Sequence, residues 1–213
     1  MHPADCPDWN YSVHPRKREV LTRNSASVLS DLRSGLIDTL AGAADSRPIH
    51  RRLFHELTPP GHEYYAGNYR GEDYRCLRYL NVMIPGDPQV GFPSNWVLGY
   101  VREIAGLIRG GISALDLARQ VPDGQLPREQ KVLYVVIFAC RIFELFLRVH
   151  PYADGNGHAA RFIVWAILGR YGYWPKRWPL DPRPPDPPYS ELIRQYRSGN
   201  RERLEAYILS TLS

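Results

Sequence analysis

The residues best suited to chemistry lie in one short string: His150-Pro151-Tyr152-Ala153-Asp154-Gly155-Asn156-Gly157-His158-Ala159-Ala160-Arg161. His150 can take or give a proton near neutral pH. Asp154 is a hard oxygen ligand of the kind that holds a divalent cation. Gly155, Asn156 and Gly157 tolerate the tight curvature and positive φ that bring main-chain N–H groups round an anion. Arg161 lies three residues after His158, on the same face of a helical first turn, and carries a permanent charge. A base, a metal ligand, an anion cradle and a cation are the parts that phosphoryl or nucleotidyl transfer needs.

The flanking sequence says how these residues are positioned. Lys131 to Arg148 is apolar on nearly every face, which predicts a central buried helix, although its Val, Ile and Phe would also suit a strand. Pro151 disfavours helical backbone at His150, so the helix ends there and the base stands at the first exposed position beyond it. A second apolar run, Ala159 to Leu168, predicts a helix starting near Gly157. Its unpaired first-turn N–H groups and its dipole then face the loop, where phosphate is favoured. A plain helix–turn–helix corner would also use Asp-Gly and Asn-Gly. A calcium loop starting at Asp154 fails, because His158, Ala159 and Trp165 stand where Asp or Asn, Gly and Glu are required. A P-loop fails for want of Gly-Lys-Ser/Thr.

The complete string resembles the signature of the Fic family, HPFxxGNGRxxR with an acidic residue before Gly-Asn. It matches at His150, Pro151, Asp154, Gly155, Asn156, Gly157 and Arg161; Tyr152 replaces the Phe and His158 replaces the first Arg. The resemblance implies a protein adenylyltransferase, moving AMP from ATP to a Ser, Thr or Tyr hydroxyl of a target protein. By that analogy His150 is the general base and Asp154 holds Mg²⁺ between the α- and β-phosphates. The backbone of Gly155 and Gly157, with the Asn156 side chain, cradles the α-phosphate, and Arg161 meets the distal phosphates. The position of His158 normally carries an Arg that grips the β-phosphate. Histidine is shorter and mostly neutral at pH 7. His158 therefore leaves other donors open (UMP transfer, phosphotransfer, phosphocholine transfer), as well as a catalytically silent protein that binds a nucleotide or partner. Some family members carry a self-inhibitory Ser/Thr-x-x-x-Glu helix whose Glu pairs with the second motif Arg. Ser198 to Glu202 is a closer version of it than Ser27 to Asp31, which makes Glu202 the inhibitory candidate; a small antitoxin-like partner is another possible restraint.

The fold so implied is mainly α: a Fic-like helical bundle with a central helix–loop–helix motif and a β-hairpin flap. Residues 1–18 read as an N-terminal arm and 19–213 as a single domain, with its core at about 45–172 and closing helices within 189–212. A first amphipathic helix is expected to end near Gly42. Asp45-Ser46 should cap a helix through Leu57, with Pro48 in its first turn. Its Leu53-Phe54 pair and the following Ala66-Gly-Asn-Tyr-Arg70 resemble the family's "hxxLF" helix and "AGxxR" turn. Cys76 to Ile84 has strand-like composition before a turn at Pro85-Gly-Asp-Pro88, and by resemblance forms the flap, which could align a target segment by strand addition. Ser94 to Ile108 and Ile112 to Arg119 read as two helices broken by Gly110-Gly111. The proline-dense stretch from Trp174 to Pro188 reads as an extended surface crossing.

Composition narrows the class. The chain has 213 residues and 44% hydrophobic content, with a mean hydropathy of −0.39, as expected for a globular domain with a sizeable core. The longest apolar run contains Arg141 and Glu144, which excludes it as a membrane span. No secretory h-region is visible. Cys6, Cys76 and Cys140 are odd in number and widely spaced, which argues for a reducing compartment and against a disulfide scaffold or zinc cluster. A cytoplasmic setting is therefore expected, with export as an effector left open. The net charge of +5 fits a solvated basic face plus arginines serving a nucleotide pocket. Without aromatic–basic interleaving, it does not single out nucleic acid.

Overall fold

The computed structural model describes residues 3–84 and 86–212. Among them are eight α-helices: α1 (Lys17–Ser34), α2 (Thr39–Ala44), α3 (Arg47–Phe54), α4 (Ser94–Gln120), α5 (Arg128–Val149), α6 (Asn156–Arg170), α7 (Tyr189–Arg197) and α8 (Glu202–Ser210). The two apolar runs form the central pair, α5 and α6. Every residue of α6 from His158 to Gly169 is buried, which explains why its sequence shows no polar face. Around this pair α2 and α4 pack on one another and on α6 and α5, α1 packs on α3, and α7 and α8 close over α5. No described helix is long and apolar enough to cross a membrane.

Four local expectations are corrected. The first helix does not run on to Gly42: it ends at Gly35, left-handed at φ 81°, and a separate short α2 follows. Asp45, not Ser46, supplies the polar start of α3, accepting the Arg47 N–H at 3.1 Å. The Ser46 hydroxyl instead shares a 2.8 Å hydrogen bond with Tyr152 in the motif loop. Gly110-Gly111 does not break a helix, since α4 runs unbroken through both.

The reason is packing against α5. A Cβ built on Gly111 would lie 2.2 Å from the Phe138 ring, while one on Gly110 meets nothing within 4 Å. Gly111 permits close approach of α4 and α5, and Gly110 is free to change. Gly111→Ala should therefore lower the unfolding free energy by about 1–3 kcal/mol through overpacking. Gly110→Ala should raise it by up to about 1 kcal/mol through helix propensity. Denaturant titration of both variants checks the pair, and equal effects would contradict this account.

The fourth correction concerns the stretch from Cys76 to Ile84. It forms turns as far as Tyr79 and then irregular chain rather than a strand, and the only strand-type pairing among the described residues is an isolated bridge between Ile84 and Asp87. Pro85, in the expected turn, lies outside the described residues. Local β-propensity loses here because the carbonyls are drawn elsewhere: Leu77 O accepts from Gly71 N at 2.8 Å, and Leu80 O accepts from the Arg70 guanidinium at 3.0 Å.

The N-terminal segment is packed onto the domain. Trp9 stacks on Tyr65 with ring centroids 5.7 Å apart and donates its indole N–H to Leu57 O at 2.8 Å. Tyr65 returns a hydrogen bond to Pro7 O at 2.9 Å. Cys6 is joined to Cys76 by a disulfide, leaving Cys140 as a buried free thiol. The expectation of three unpaired cysteines is thus wrong, and with it the cysteine-based ground for expecting a reducing compartment. A separation of 70 residues hid the pairing, because only the path of the segment over the domain brings the two together.

Candidate active site

The motif builds one side of an open cavity of about 1220 Å³. His150 terminates α5 in a left-handed conformation, φ 53° and ψ 60°, the only positive φ at a non-glycine residue among those described. Pro151 bars the helical alternative. The His150 Nδ1 lies 3.2 Å from Leu147 O, which places the ring proton on Nδ1 and leaves the Nε2 lone pair unprotonated. Burial pushes the imidazole down to about 4, and the positive charges of Arg70 and Arg197 push the same way against the Leu147 bond. His150 is therefore neutral at pH 7.

Arg70 holds that geometry in place. It is fully buried. Its guanidinium donates to His150 O at 2.9 and 2.7 Å, to Val149 O at 3.0 Å, to Leu80 O at 3.0 Å and to Phe92 O at 3.0 Å. Its own main-chain N–H reaches Pro151 O at 2.8 Å. One side chain thus ties the end of α5, the motif loop and the stretch before α4 together.

The loop closes on itself through Asn156. Its side chain accepts from Tyr152 N at 2.8 Å and donates to Tyr152 O at 3.0 Å, so both ends of the amide serve the turn. Gly155 sits at φ 74°, and a Cβ there would fall 2.5 Å from the Phe54 ring and 2.9 Å from His50 Nε2. His158 N and Ala159 N bond back to Gly155 O. The first-turn N–H groups of Asn156 and Gly157 have no carbonyl of their own helix to meet, and both residues line the cavity.

Asp154 also lines the cavity. Its carboxylate accepts Gly155 N at 2.7 Å and Tyr11 N at 3.1 Å, while burial pushes its carboxyl up. Among the described residues no cation pairs with it. A half-buried carboxylate with no basic partner among the described residues, beside an anion cradle, is a donor set that suits Mg²⁺, which takes one or two protein carboxylates and completes its shell with water and substrate phosphate. No group of three or more His, Cys, Asp or Glu that could hold a metal alone is found among the described residues.

The position of the first motif Arg is rebuilt. His158, 4% exposed, donates from Nε2 to Asp181 Oδ1 at 3.0 Å. Burial takes its pKa down to about 4 despite that carboxylate, and Asp181 is held below its usual range by the same hydrogen bond. The pair is a neutral imidazole on an ionised carboxylate. Arg161 is buried and donates to Leu180 O at 3.0 Å and to the Tyr189 hydroxyl at 3.4 Å. It lines the cavity together with Lys17, Arg18, Arg183 and Arg194.

His150, Asp154, Gly155, Asn156, Gly157, His158 and Arg161 are thus brought to one cavity. Glu202 is not; it is exposed at the start of α8 and absent from the lining. Sequence reasoning missed His50, Asp181 and Tyr11. His50 is fully buried and stacked on Tyr152 at 3.7 Å. It accepts Gly67 N at Nδ1 (3.0 Å), which puts its proton on Nε2 to donate to Asp154 O at 2.9 Å. The signal was a histidine beside the apolar stripe of α3. Asp181, within the proline-dense crossing, gave no comparable signal.

These buried histidines make a stability prediction. Burial holds His50 at about 3 and His150 and His158 at about 4, below the 6.5 of an unfolded histidine. Between those values the unfolded chain binds more protons, so stability is present above about pH 6.5 and is lost as pH falls toward 4. Each group contributes a slope of up to about 1.4 kcal/mol per pH unit. Urea unfolding at pH 7 and pH 5 should show a marked loss at the lower pH; equal or greater stability at pH 5 would overturn the neutral assignments.

The Fic/DOC family model matches residues 42–168, from α2 to near the end of α6. A stretch of 63 residues is 35% identical to the Protein adenylyltransferase Fic of Nematostella vectensis, covering 28% of this chain and 15% of the length of that relative. With that match spanning the helix pair, the motif loop and the Arg70 clamp, the chain belongs to the Fic/DOC family.

Proposed function

We propose that this protein is a transferase that moves AMP from ATP to a hydroxyl of a target protein. The observation that carries this is His150: its Nδ1 proton is committed to Leu147 O, so Nε2 is open as an acceptor, in a cavity that also holds Asp154 and the start of α6. In the proposed reaction Nε2 takes the acceptor hydroxyl proton as the oxygen forms a bond to the α-phosphorus. The bond from that phosphorus to the bridging oxygen breaks, and pyrophosphate leaves. The main-chain N–H groups of Asn156 and Gly157 receive the α-phosphate, and Arg161 meets the distal ones. Asp154 would hold Mg²⁺, which when bound supplies charge neutralisation on the phosphates. The acceptor segment would enter beside Ile84, Gly86 and Val90, which line the cavity.

A second reading keeps the fold and changes the donor. It is favoured by the neutral His158 and ionised Asp181, which put a carboxylate where the family motif offers a guanidinium. Such a site would disfavour a highly charged leaving group.

Intact-mass measurement of the purified protein with Mg²⁺ and each of ATP, GTP, UTP and CTP, beside His150→Ala, tests both readings. Self-modification by one AMP unit, absent in the variant, is the expected result. A bare phosphate or another nucleotidyl gain would move the assignment to the second reading. No gain, together with no nucleotide binding, would sink both.

A further inference from the structure

The family match begins at residue 42, yet one wall of the site comes from chain that precedes it. The Tyr11 main-chain N–H donates to Asp154 Oδ2 at 3.1 Å. The Tyr11 ring meets His158 edge-on, centroids 5.5 Å apart, and tilts against Phe54 at 4.9 Å. Tyr11 and Ser12 both line the cavity. Between residue 3 and Asn10 the segment has no helix or strand of its own. It is held by the Trp9 and Tyr65 contacts, by an exposed Arg75–Asp5 ion pair, and by the Cys6–Cys76 disulfide.

We propose that this N-terminal segment is a working part of the site. The Tyr11 N–H orients the Asp154 carboxylate, and the Cys6–Cys76 bridge keeps it there. The oxidation state of that cysteine pair therefore sets the affinity for a divalent cation–nucleotide complex. The inference rests on the reading of Asp154 as the cation ligand. Tyr11 is a positioning residue, acting through Asp154.

The physical case has two steps. A ligating carboxylate depends on the hydrogen bonds behind it, whose loss typically weakens metal binding 10- to 100-fold. Asp154 has two such donors: Gly155 N belongs to the loop itself, so Tyr11 N is the one that can be withdrawn. Terminal segments without regular structure loosen unless tied down, and the covalent tie lies five residues before Tyr11. A dithiol reductant opens it: the Cys6–Cys76 S–S bond takes two electrons and two protons and becomes two thiols, while the dithiol closes to its own disulfide. Cys140 is buried and its thiol is pushed up by burial, so it is a poor competitor for exchange.

The test uses the full chain, oxidised and after treatment with dithiothreitol. Binding of a non-hydrolysable ATP analogue with Mg²⁺ is followed by calorimetry, with melting temperature recorded in parallel. Reduction should weaken binding about 10-fold or more, and Cys6→Ser/Cys76→Ser should bind like the reduced protein and no longer respond to dithiol. Tyr11→Pro removes the N–H; Asn10, at φ −134° and ψ 97°, is extended rather than helical, the region to which a following proline pushes its neighbour. Tyr11→Ala removes the ring but keeps the N–H, so it should cost less than Tyr11→Pro. Equal affinity in both oxidation states, tighter binding on reduction, or equal loss in the two Tyr11 variants would overturn the proposal.

Amide exchange without ligand supplies an independent readout. Residues 7–14 should exchange faster on reduction while α5 and α6 keep their protection. Unchanged exchange would refute the tether whatever binds. A segment that loosens on reduction in a protein that binds no nucleotide in either state would uphold the tether and overturn both the affinity claim and the nucleotide reading of the site.

Discussion

His150→Ala is expected to lower the rate of group transfer by about 10²- to 10⁴-fold, the usual contribution of a general base, while nucleotide affinity and fold persist. The reason is local. The ring makes one internal hydrogen bond, to Leu147 O, and that bond selects the tautomer rather than supporting the core. Because residue 150 is left-handed, alanine there carries a backbone penalty of about 1–2 kcal/mol. His150→Asn avoids most of it, since asparagine accepts this conformation readily and cannot act as the base. Both variants should therefore lose transfer together, whereas a stability effect would separate them. The pH dependence is a second check. With burial holding the free-protein imidazole at about 4, the acid limb of kcat/KM should lie well below 6.5, because activity falls only where the imidazolium forms. A limb at 6.5 would mean an exposed, ordinary histidine, and transfer surviving in both variants would remove His150 from the base role.

What could be read from the sequence divides along a physical line. The central pair and its loop were legible because their signals are local: continuous apolar runs, a proline after His150 and glycines that tolerate positive φ at the start of α6. The readings that failed depend on chain distant in sequence. Gly110-Gly111 reads as a break by propensity alone, and only the Phe138 ring from α5 explains why position 111 has no side chain. Cys76 to Ile84 reads as a strand by composition, until Arg70 and Gly71 claim its carbonyls. In the site itself the motif residues were all legible, and the residues that hold them were less so. His50 and Asp181 act through hydrogen bonds to residues 104 and 23 positions away, and Tyr11 reaches Asp154 across 143. No periodicity encodes such pairings.

Arg70→Met should be the most destabilising single change considered, and the way it fails is informative. Methionine keeps much of the aliphatic volume, so the packing loss is modest. What disappears is five donor contacts to four carbonyls, that of Val149 buried and those of Leu80, Phe92 and His150 partly so. Each orphaned acceptor costs about 1–3 kcal/mol. The sum is not additive, so a loss of at least about 3 kcal/mol is the expectation. At about 2–4 °C per kcal/mol for a chain of this size, the melting temperature should fall by about 6 °C or more. Part of this cost is offset, because the guanidinium has no carboxylate partner among the described residues and burial already pulls it down to about 10. Removing it also removes an incompletely compensated buried charge. Arg70→Lys separates the two effects. It restores a cation but not the planar fork that spans several carbonyls at once, so it should recover little stability. Because two of the five contacts hold His150 O, the turnover of Arg70→Met measured below its melting temperature should fall while nucleotide affinity changes less. A variant that melts early but turns over normally when folded would make Arg70 a purely structural clamp, with His150 positioned by Pro151 and Leu147 alone.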